Sequence, residues 1–391
     1  MFKVSSVGGV LIVAALLAPY QTVGADLTDA EQAESAKLAK TVPIADLHDH
    51  DNYAGSKGDQ VGVAWAGLGA KRGGRSVWFP MKEMLGDKRI AWAGQGEFNK
   101  VFFSGGMEEM LNPDNPVLAR LYKESEQDLK DGLIVGIGEI FINNRTSSAQ
   151  KRMRRKGQVD APIFKKFFNL VAKYDGFLAF HMQADEDSME QLGNLLESNR
   201  KGRVVWNHCG SDTDADDVEE LMDKHSNLFC ELSFRYPPVN KNDSREIFYG
   251  DGIDSSWREL MEKHPDRFMV GTDAHNAKQF VGSIRTVRKG LLPNLKPDTA
   301  RKIAYQNAQR LFKLKDNPIA IGASQKPKKS VSKEIRGPMG STPSEFMARL
   351  DKDGDGKVNM SEWGRKPFIF KKLDVNKDGF ITKQDLMIAW Q

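Results

Sequence analysis

The chain has 391 residues, 40% of them apolar and 28% charged, a length and mix that allow two or three domains with full cores and exclude wholesale disorder. Lys and Arg number 57 against 53 Asp and Glu, so the net charge of +4 gives no electrostatic footprint for a nucleic-acid partner. Only two cysteines exist, Cys209 and Cys230, which excludes a disulfide framework.

Residues 1–25 read as a secretory signal peptide: Lys3 supplies a positive start, Val7 to Ala18 an apolar run, and Val23-Gly24-Ala25 a small-residue cleavage site. A membrane anchor needs about twenty apolar residues, and Pro19 and Gln21 interrupt this run. The mature chain is expected to start near Asp26, to be secreted or periplasmic, and to have no stable membrane span. The two cysteines could pair there, but a buried free thiol is the simpler expectation.

Residues 41–315 alternate between short apolar runs and amphipathic stretches. Strands are expected at Ile44–His48, Leu133–Ile140, Phe177–His181, Arg203–Asn207, Asn227–Phe234 and Arg267–Gly271. Helices are expected over Ala161–Tyr174, with Asp160 as cap, Pro162 in the first turn and Gly176 as stop, and over Ser188–Ser198 and Asp214–His225. This order predicts an α/β fold, an eight-fold βα barrel, because such barrels take roughly 250 residues. Strands 2 and 3 have no clear place between Val61 and Glu124. Residues 316–340 are rich in Lys, Ser, Gly and Pro and read as a flexible linker.

Residues 341–391 carry a twelve-residue calcium-loop pattern. Asp351, Asp353 and Asp355 supply hard oxygens, Gly356 the sharp turn, Lys357 its carbonyl, Asn359 position 9 and Glu362 a two-oxygen ligand. A second loop offers Asp374, Asn376, Asp378, Phe380 by its carbonyl, Thr382 and Asp385; the shorter Asp385 in the last position predicts weaker binding. Loop starts lie 23 residues apart, leaving room for one shared helix. Phe346, Phe368, Phe370, Leu373 and Leu386 are the expected core. The segment resembles a compact EF-hand pair, a small α-helical domain binding one or two Ca2+.

In the body, His48 and His50 are two apart at a strand end, so both face one side of a regular strand. Glu139, His181, His208 and Asp273 also end expected strands, at the carboxyl rim where barrels of this kind carry their chemistry. The successive intervals from His50 to Glu139, on to His181, His208 and then Asp273 are 89, 42, 27 and 65 residues, which places the set on strands 1, 4, 5, 6 and 8. A lone residue of this kind usually makes an ordinary hydrogen bond; six at barrel-compatible intervals predict a divalent transition-metal site. His275 could line it, and His225 and His264 are expected at the surface.

These residues, with Trp257-Arg-Glu-Leu, Pro265-Asp-Arg-Phe-Met-Val-Gly and Asn307-Ala-Gln-Arg-Leu-Phe, resemble the amidohydrolase-related branch of the metal-dependent amidohydrolase superfamily over Val42 to Leu314. The resemblance implies a TIM barrel in which His48, His50 and Asp273 hold one ion, usually Zn2+, while Glu139, His181 and His208 hold a second or line the site. Many two-metal relatives carry a carboxylated lysine where this chain has Glu139, which leaves one or two ions open. The implied activity is hydrolysis of a small amide, lactone, ester or phosphoester by a metal-activated water, with Asp273 taking the proton, His208 facing the oxyanion and Arg235 clamping a substrate carboxylate. Lys151–Lys156, five positive charges in six residues, could steer an anionic substrate. The alternatives are a metal-dependent decarboxylase on the same barrel and a non-enzymatic calcium-binding module. The sequence sets no oligomeric state.

Overall fold

The computed structural model describes residues 26–49, 57–58, 60–69, 89–146, 151–236, 245–314, 343–364 and 367–389. The chain divides into two compact units at Ile321/Gly322. The expected signal peptide, His50 and the expected linker lie outside the described residues.

In the larger unit, eight parallel strands are described: β1 Ile44–Asp49, β2 Val63–Gly69, β3 Arg89–Gly94, β4 Gly136–Asn144, β5 Phe177–Met182, β6 Arg203–Asn207, β7 Leu228–Glu231 and β8 Phe268–Met269. They pair in chain order from β1 to β8. The sheet closes on itself: Leu47 N–H donates to Val270 O (3.0 Å) and Asp273 N–H to His48 O (2.6 Å). This is an eight-stranded βα barrel, the expected fold. Strands 2 and 3, unplaced in sequence, are Val63–Gly69 and Arg89–Gly94.

The strands carry two apolar layers, one on each side of the sheet. Ala45, Leu47, Phe177, Ala179, Val205, Phe229 and Met269 fill the barrel interior and pack on Ala308, Leu311 and Phe312. Ile44, Ile137, Ile140, Leu178, Phe180, Val204, Trp206, Leu228 and Phe268 face the surrounding helices. The connections include Pro162–Lys173, Glu186–Ser198 and Ala215–Lys224, all close to expectation. The cap differs: Ala161 takes the N-cap position without a side-chain bond, and Asp160 pairs instead with Lys165 (3.2 Å). The unit also begins earlier than residue 41. Helix Asp29–Thr41 buries Ala39 in the core, and Ser35 Oγ donates to Leu295 O (2.6 Å).

In the smaller unit, strand β9 (Lys357–Asn359) pairs antiparallel with β10 (Phe380–Thr382), Val358 opposite Ile381. Its core is Met347, Val358, Trp363, Phe370, Ile381 and Leu386, with Phe346, Leu350 and Leu373 packed against it. The expected core lacked Met347, Val358, Trp363 and Ile381, and the side chain of Phe368 lies outside the described residues.

Candidate metal centre

The carboxyl ends of five strands converge on one buried cluster. His48 is the last residue but one of β1, Glu139 lies in β4, His181 in β5, His208 follows β6, and Asp273 stands four residues after β8. His48 Nε2 is 3.4 Å from Glu139 Oε2 and 3.7 Å from Asp273 Oδ1. His208 Nε2 lies 3.1 Å from Glu139 Oε1, 3.0 Å from His181 Nδ1 and 4.0 Å from Asp273 Oδ2. His181 Nδ1 is 2.9 Å from Glu139 Oε1. His50, the remaining candidate, cannot be set against them because it lies outside the described residues.

Two strand irregularities aim this cluster. Register shifts fall between Asp46 and Asp49 on β1 and between Ile137 and Ile140 on β4. Regular alternation would put His48 out of phase with the interior residues Ala45 and Leu47, and Glu139 in phase with outward-facing Ile137. Bulges next to sites re-aim single side chains in this way.

The imidazoles are oriented from behind. His48 Nδ1 contacts Glu231 Oε2 at 2.8 Å, and His208 Nδ1 contacts Ser233 Oγ at 2.8 Å. A proton on each Nδ1 satisfies these partners and leaves both Nε2 lone pairs facing the centre. Glu231 is itself held by the Ser233 hydroxyl (2.8 Å) and by Asn207 Nδ2 (3.3 Å). It therefore serves as the carboxylate behind His48, although its oxygens also lie close enough to the two rings to count as a ligand group. Gln95 Nε2 donates to Glu139 Oε2 (2.9 Å), and Asp46 accepts the N–H (2.9 Å) and hydroxyl (2.7 Å) of Thr272, next to Asp273. Sequence reasoning missed Glu231, Ser233, Gln95 and Asp46. Glu231 ends β7 in the structure, but the strand expected from sequence ran on to Phe234 and left it in mid-strand.

The electrostatics point to a cation. Burial alone would lower the His48 pKa, but the carboxylates of Asp273 and Glu139 hold it well above its ordinary value. Burial would raise Glu139, yet His48 and the hydrogen bonds from His181 and His208 take it well below the usual carboxylate range. Burial lowers His181, and it would lower His208 too, but Glu139 raises that ring. The two carboxylates among these five groups favour positive charge at the centre, which a proton on His48 supplies when no ion is bound. The separations of the five groups also suit an ion, since nitrogens and oxygens about 2.0–2.1 Å from a tetrahedral centre stand roughly 3.3–3.5 Å apart.

Two sequence expectations change. Arg235 is fully buried and cannot clamp a substrate: it donates to the carbonyls of Cys209 (2.7 Å), His208 (3.2 Å), Arg245 (2.7 Å) and Thr213 (3.0 Å), and stacks on Trp257. Of the basic run, Arg155 is buried with its guanidinium 3.6 Å from the Phe102 ring centroid, and Lys156 pairs with Asp185 and Asp187. Lys151, Arg152 and Arg154 remain exposed. His275 is exposed, its ring 5.7 Å from Phe234, whose own ring is 5.7 Å from His208. His264 pairs with Asp223 (3.0 Å), while His225 is more buried than expected, at 8% exposure.

The cysteines also differ from expectation: Cys209 and Cys230 form a disulfide with Cα atoms 4.8 Å apart. Cys209 sits in the turn after β6 and Cys230 in β7, and these neighbouring strand ends bring the sulfurs together.

In the tail, carboxylate oxygens of Asp351, Asp353 and Asp355 lie within 4.8 Å of one another. Glu362 accepts the N–H groups of Lys352 (2.9 Å) and Asn359 (3.0 Å) across the loop. Asp385 does the same for Val375 (3.2 Å) and Thr382 (2.9 Å), and Asp374 accepts from Asp378 (3.1 Å) and Gly379 (3.0 Å). Asn376 Oδ1 also accepts from the Asp378 N–H (3.0 Å). Gly356 and Gly379 have φ of 84° and 89°, the left-handed turn that position 6 demands.

Residues 345–369 and 366–388 each match the family model described as EF hand. No curated protein matches the chain. Among solved structures, the fold is similar to a probable 2-pyrone-4,6-dicarboxylic acid hydrolase from Acinetobacter baumannii (13% identity, 66% of this chain and 86% of that one, TM-score 0.41). It is similar also to 5-carboxyvanillate decarboxylase from Sphingomonas paucimobilis (13%, 66% and 82%, 0.41) and to dihydroorotase from Campylobacter jejuni (11%, 71% and 84%, 0.43).

Proposed function

We propose that the protein is an exported metal-dependent hydrolase of the amidohydrolase type, acting on a small amide, lactone, ester or phosphoester, with a calcium-binding tail. The observation that carries this reading is the position of Glu139. Its Oε2 faces His48 and its Oε1 faces His181 and His208, so one carboxylate stands between one imidazole on one side and two on the other. That arrangement suits one or two divalent ions, Zn2+ foremost given the nitrogen-rich donor set.

His48, Glu139, His181, His208 and Asp273, with His50, would hold the metal. When bound, it supplies a Lewis acid and brings water close to ionisation at neutral pH. Asp273, on the rim at 7% exposure, accepts the proton of the attacking water and returns it to the leaving group. His208 acts as a lone-pair donor, because its Nδ1 proton is engaged by Ser233. Exposed Lys151, Arg152 and Arg154 favour the approach of an anionic substrate. Export is supported by the N-terminal pattern and by a disulfide, which persists in oxidising compartments.

The test is metal analysis of the purified mature chain beside His48→Ala and Asp273→Ala, followed by a screen of amides, lactones, esters and phosphoesters with parallel detection of carbon dioxide. About one or two equivalents of transition metal in the wild type, lost in His48→Ala, are expected. Absence of metal from the wild type would refute the reading, and carbon dioxide release without hydrolysis would move it to a decarboxylase.

A further inference from the structure

We propose that the Cys209–Cys230 disulfide is the clasp that positions the metal centre, so that opening it weakens the hold on the ion while the barrel stays folded. The proposal rests on the reading of the centre as a metal site. Cys209 directly follows His208, and Cys230 directly precedes Glu231. One covalent bond therefore joins the residue next to a ligand ring to the residue next to the carboxylate behind His48. Both cysteines are fully buried.

The turn that the disulfide holds is unfavourable by itself. His208, Cys209, Gly210 and Ser211 have φ of 58°, 43°, 78° and 59°, four successive left-handed residues of which three carry side chains. Such conformations persist only where the surroundings over-determine them. Here Thr213 Oγ1 donates to Cys209 O (2.8 Å), Arg235 to the carbonyls of His208 and Cys209, and the sulfur of Cys209 is bonded to β7. His208 Nε2 meets Glu139 and His181 only while the turn keeps this shape. Arg235, buried beneath the same carbonyls, is a second positioning residue.

Opening the clasp is a two-electron step. A dithiol attacks one sulfur, the S–S bond breaks, two electrons and two protons end on Cys209 and Cys230 as thiols, and the dithiol closes to its own disulfide. The freed turn can relax toward negative φ and carry His208 out of register with Glu139.

The experiment uses the full-length mature chain, stripped of metal and titrated with Co2+ and with Zn2+ against a competing chelator. Oxidised wild type is compared with protein reduced by dithiothreitol, freed of reductant under nitrogen and checked for two alkylatable thiols, and with the Cys209→Ala/Cys230→Ala double variant. The expected result is an affinity about 10- to 100-fold weaker, the range for groups that orient metal ligands. A changed Co2+ spectrum should accompany it, with far-UV circular dichroism and cooperative melting retained and reoxidation restoring the wild-type spectrum. A purely structural cross-link would lower the melting temperature and leave that spectrum unchanged. Equal affinity and spectrum in both redox states would overturn the proposal. If the double variant does not fold, reduced wild type alone decides it. If oxidised wild type takes up neither ion, it is the metal-site reading that fails.

Discussion

Glu231 illustrates how a single buried carboxylate acts through a neighbour. Burial would raise its pKa, but the His48 contact keeps it below the ordinary range, so the charge is retained to orient that ring. Glu231→Gln should reduce Zn2+ affinity about 10- to 100-fold with little change in fold, read by chelator competition. Gly271 makes room for it: a Cβ there would lie 1.9 Å from Glu231 Oε1. Gly271→Ala should displace the carboxylate and lower Zn2+ affinity in the same direction, and unchanged affinity would show that Glu231 does not orient His48. The pKa shifts also set a pH dependence. His48 is raised above 6.5, so its proton stabilises the metal-free fold below pH 6.5 and that contribution is lost as pH rises through the folded value. Glu139 is depressed below 4.5, so its contribution is present above pH 4.5 and lost as pH falls through its folded value. Metal competes with the His48 proton, and the gain in melting temperature on adding Zn2+ should therefore grow from pH 6 to pH 8. A gain that is flat or falls over that range would contradict it.

Among elements, the paired strands of the tail couple its two loops. Val358 and Ile381 are fully buried opposite each other, between residues 357 and 380, whose carbonyls are the expected position-7 ligands. Ile381→Ala should cost about 2–5 kcal/mol of tail stability and weaken calcium binding at both loops, measured by calorimetry on the full chain. Glu362→Gln should weaken calcium binding in the first loop by roughly tenfold or more, since charge count sets affinity there, and leave the barrel's transition metal in place. Loss of that metal in the same variant would contradict the division into two units. The barrel elements show how far pattern reading extends. β5, Phe177–Met182, alternates regularly from Phe177 through Ala179 to His181, so the position of His181 followed from sequence alone. β1 and β4 do not alternate regularly, and no local signal marked the shifts that turn His48 and Glu139 inward.

For the whole molecule, the division between the units makes deletion of residues 322–391 informative. If the proposed reading holds, the chain without residues 322–391 should stay folded, keep the metal affinity of the barrel cluster and lose only calcium binding; metal analysis and melting check both. Six of the eight barrel strands, the rim on which the candidate ligands stand and both calcium loops were legible in the amino-acid sequence, because periodicity and loop spacing are local properties of the backbone. The pairing of Glu231 with His48, the withdrawal of Arg235 beneath the His208 turn and the bond between the cysteines were not. Each joins residues brought together only when the sheet closes, and whether a side chain faces the centre or the backbone beside it depends on packing from strands distant in the chain.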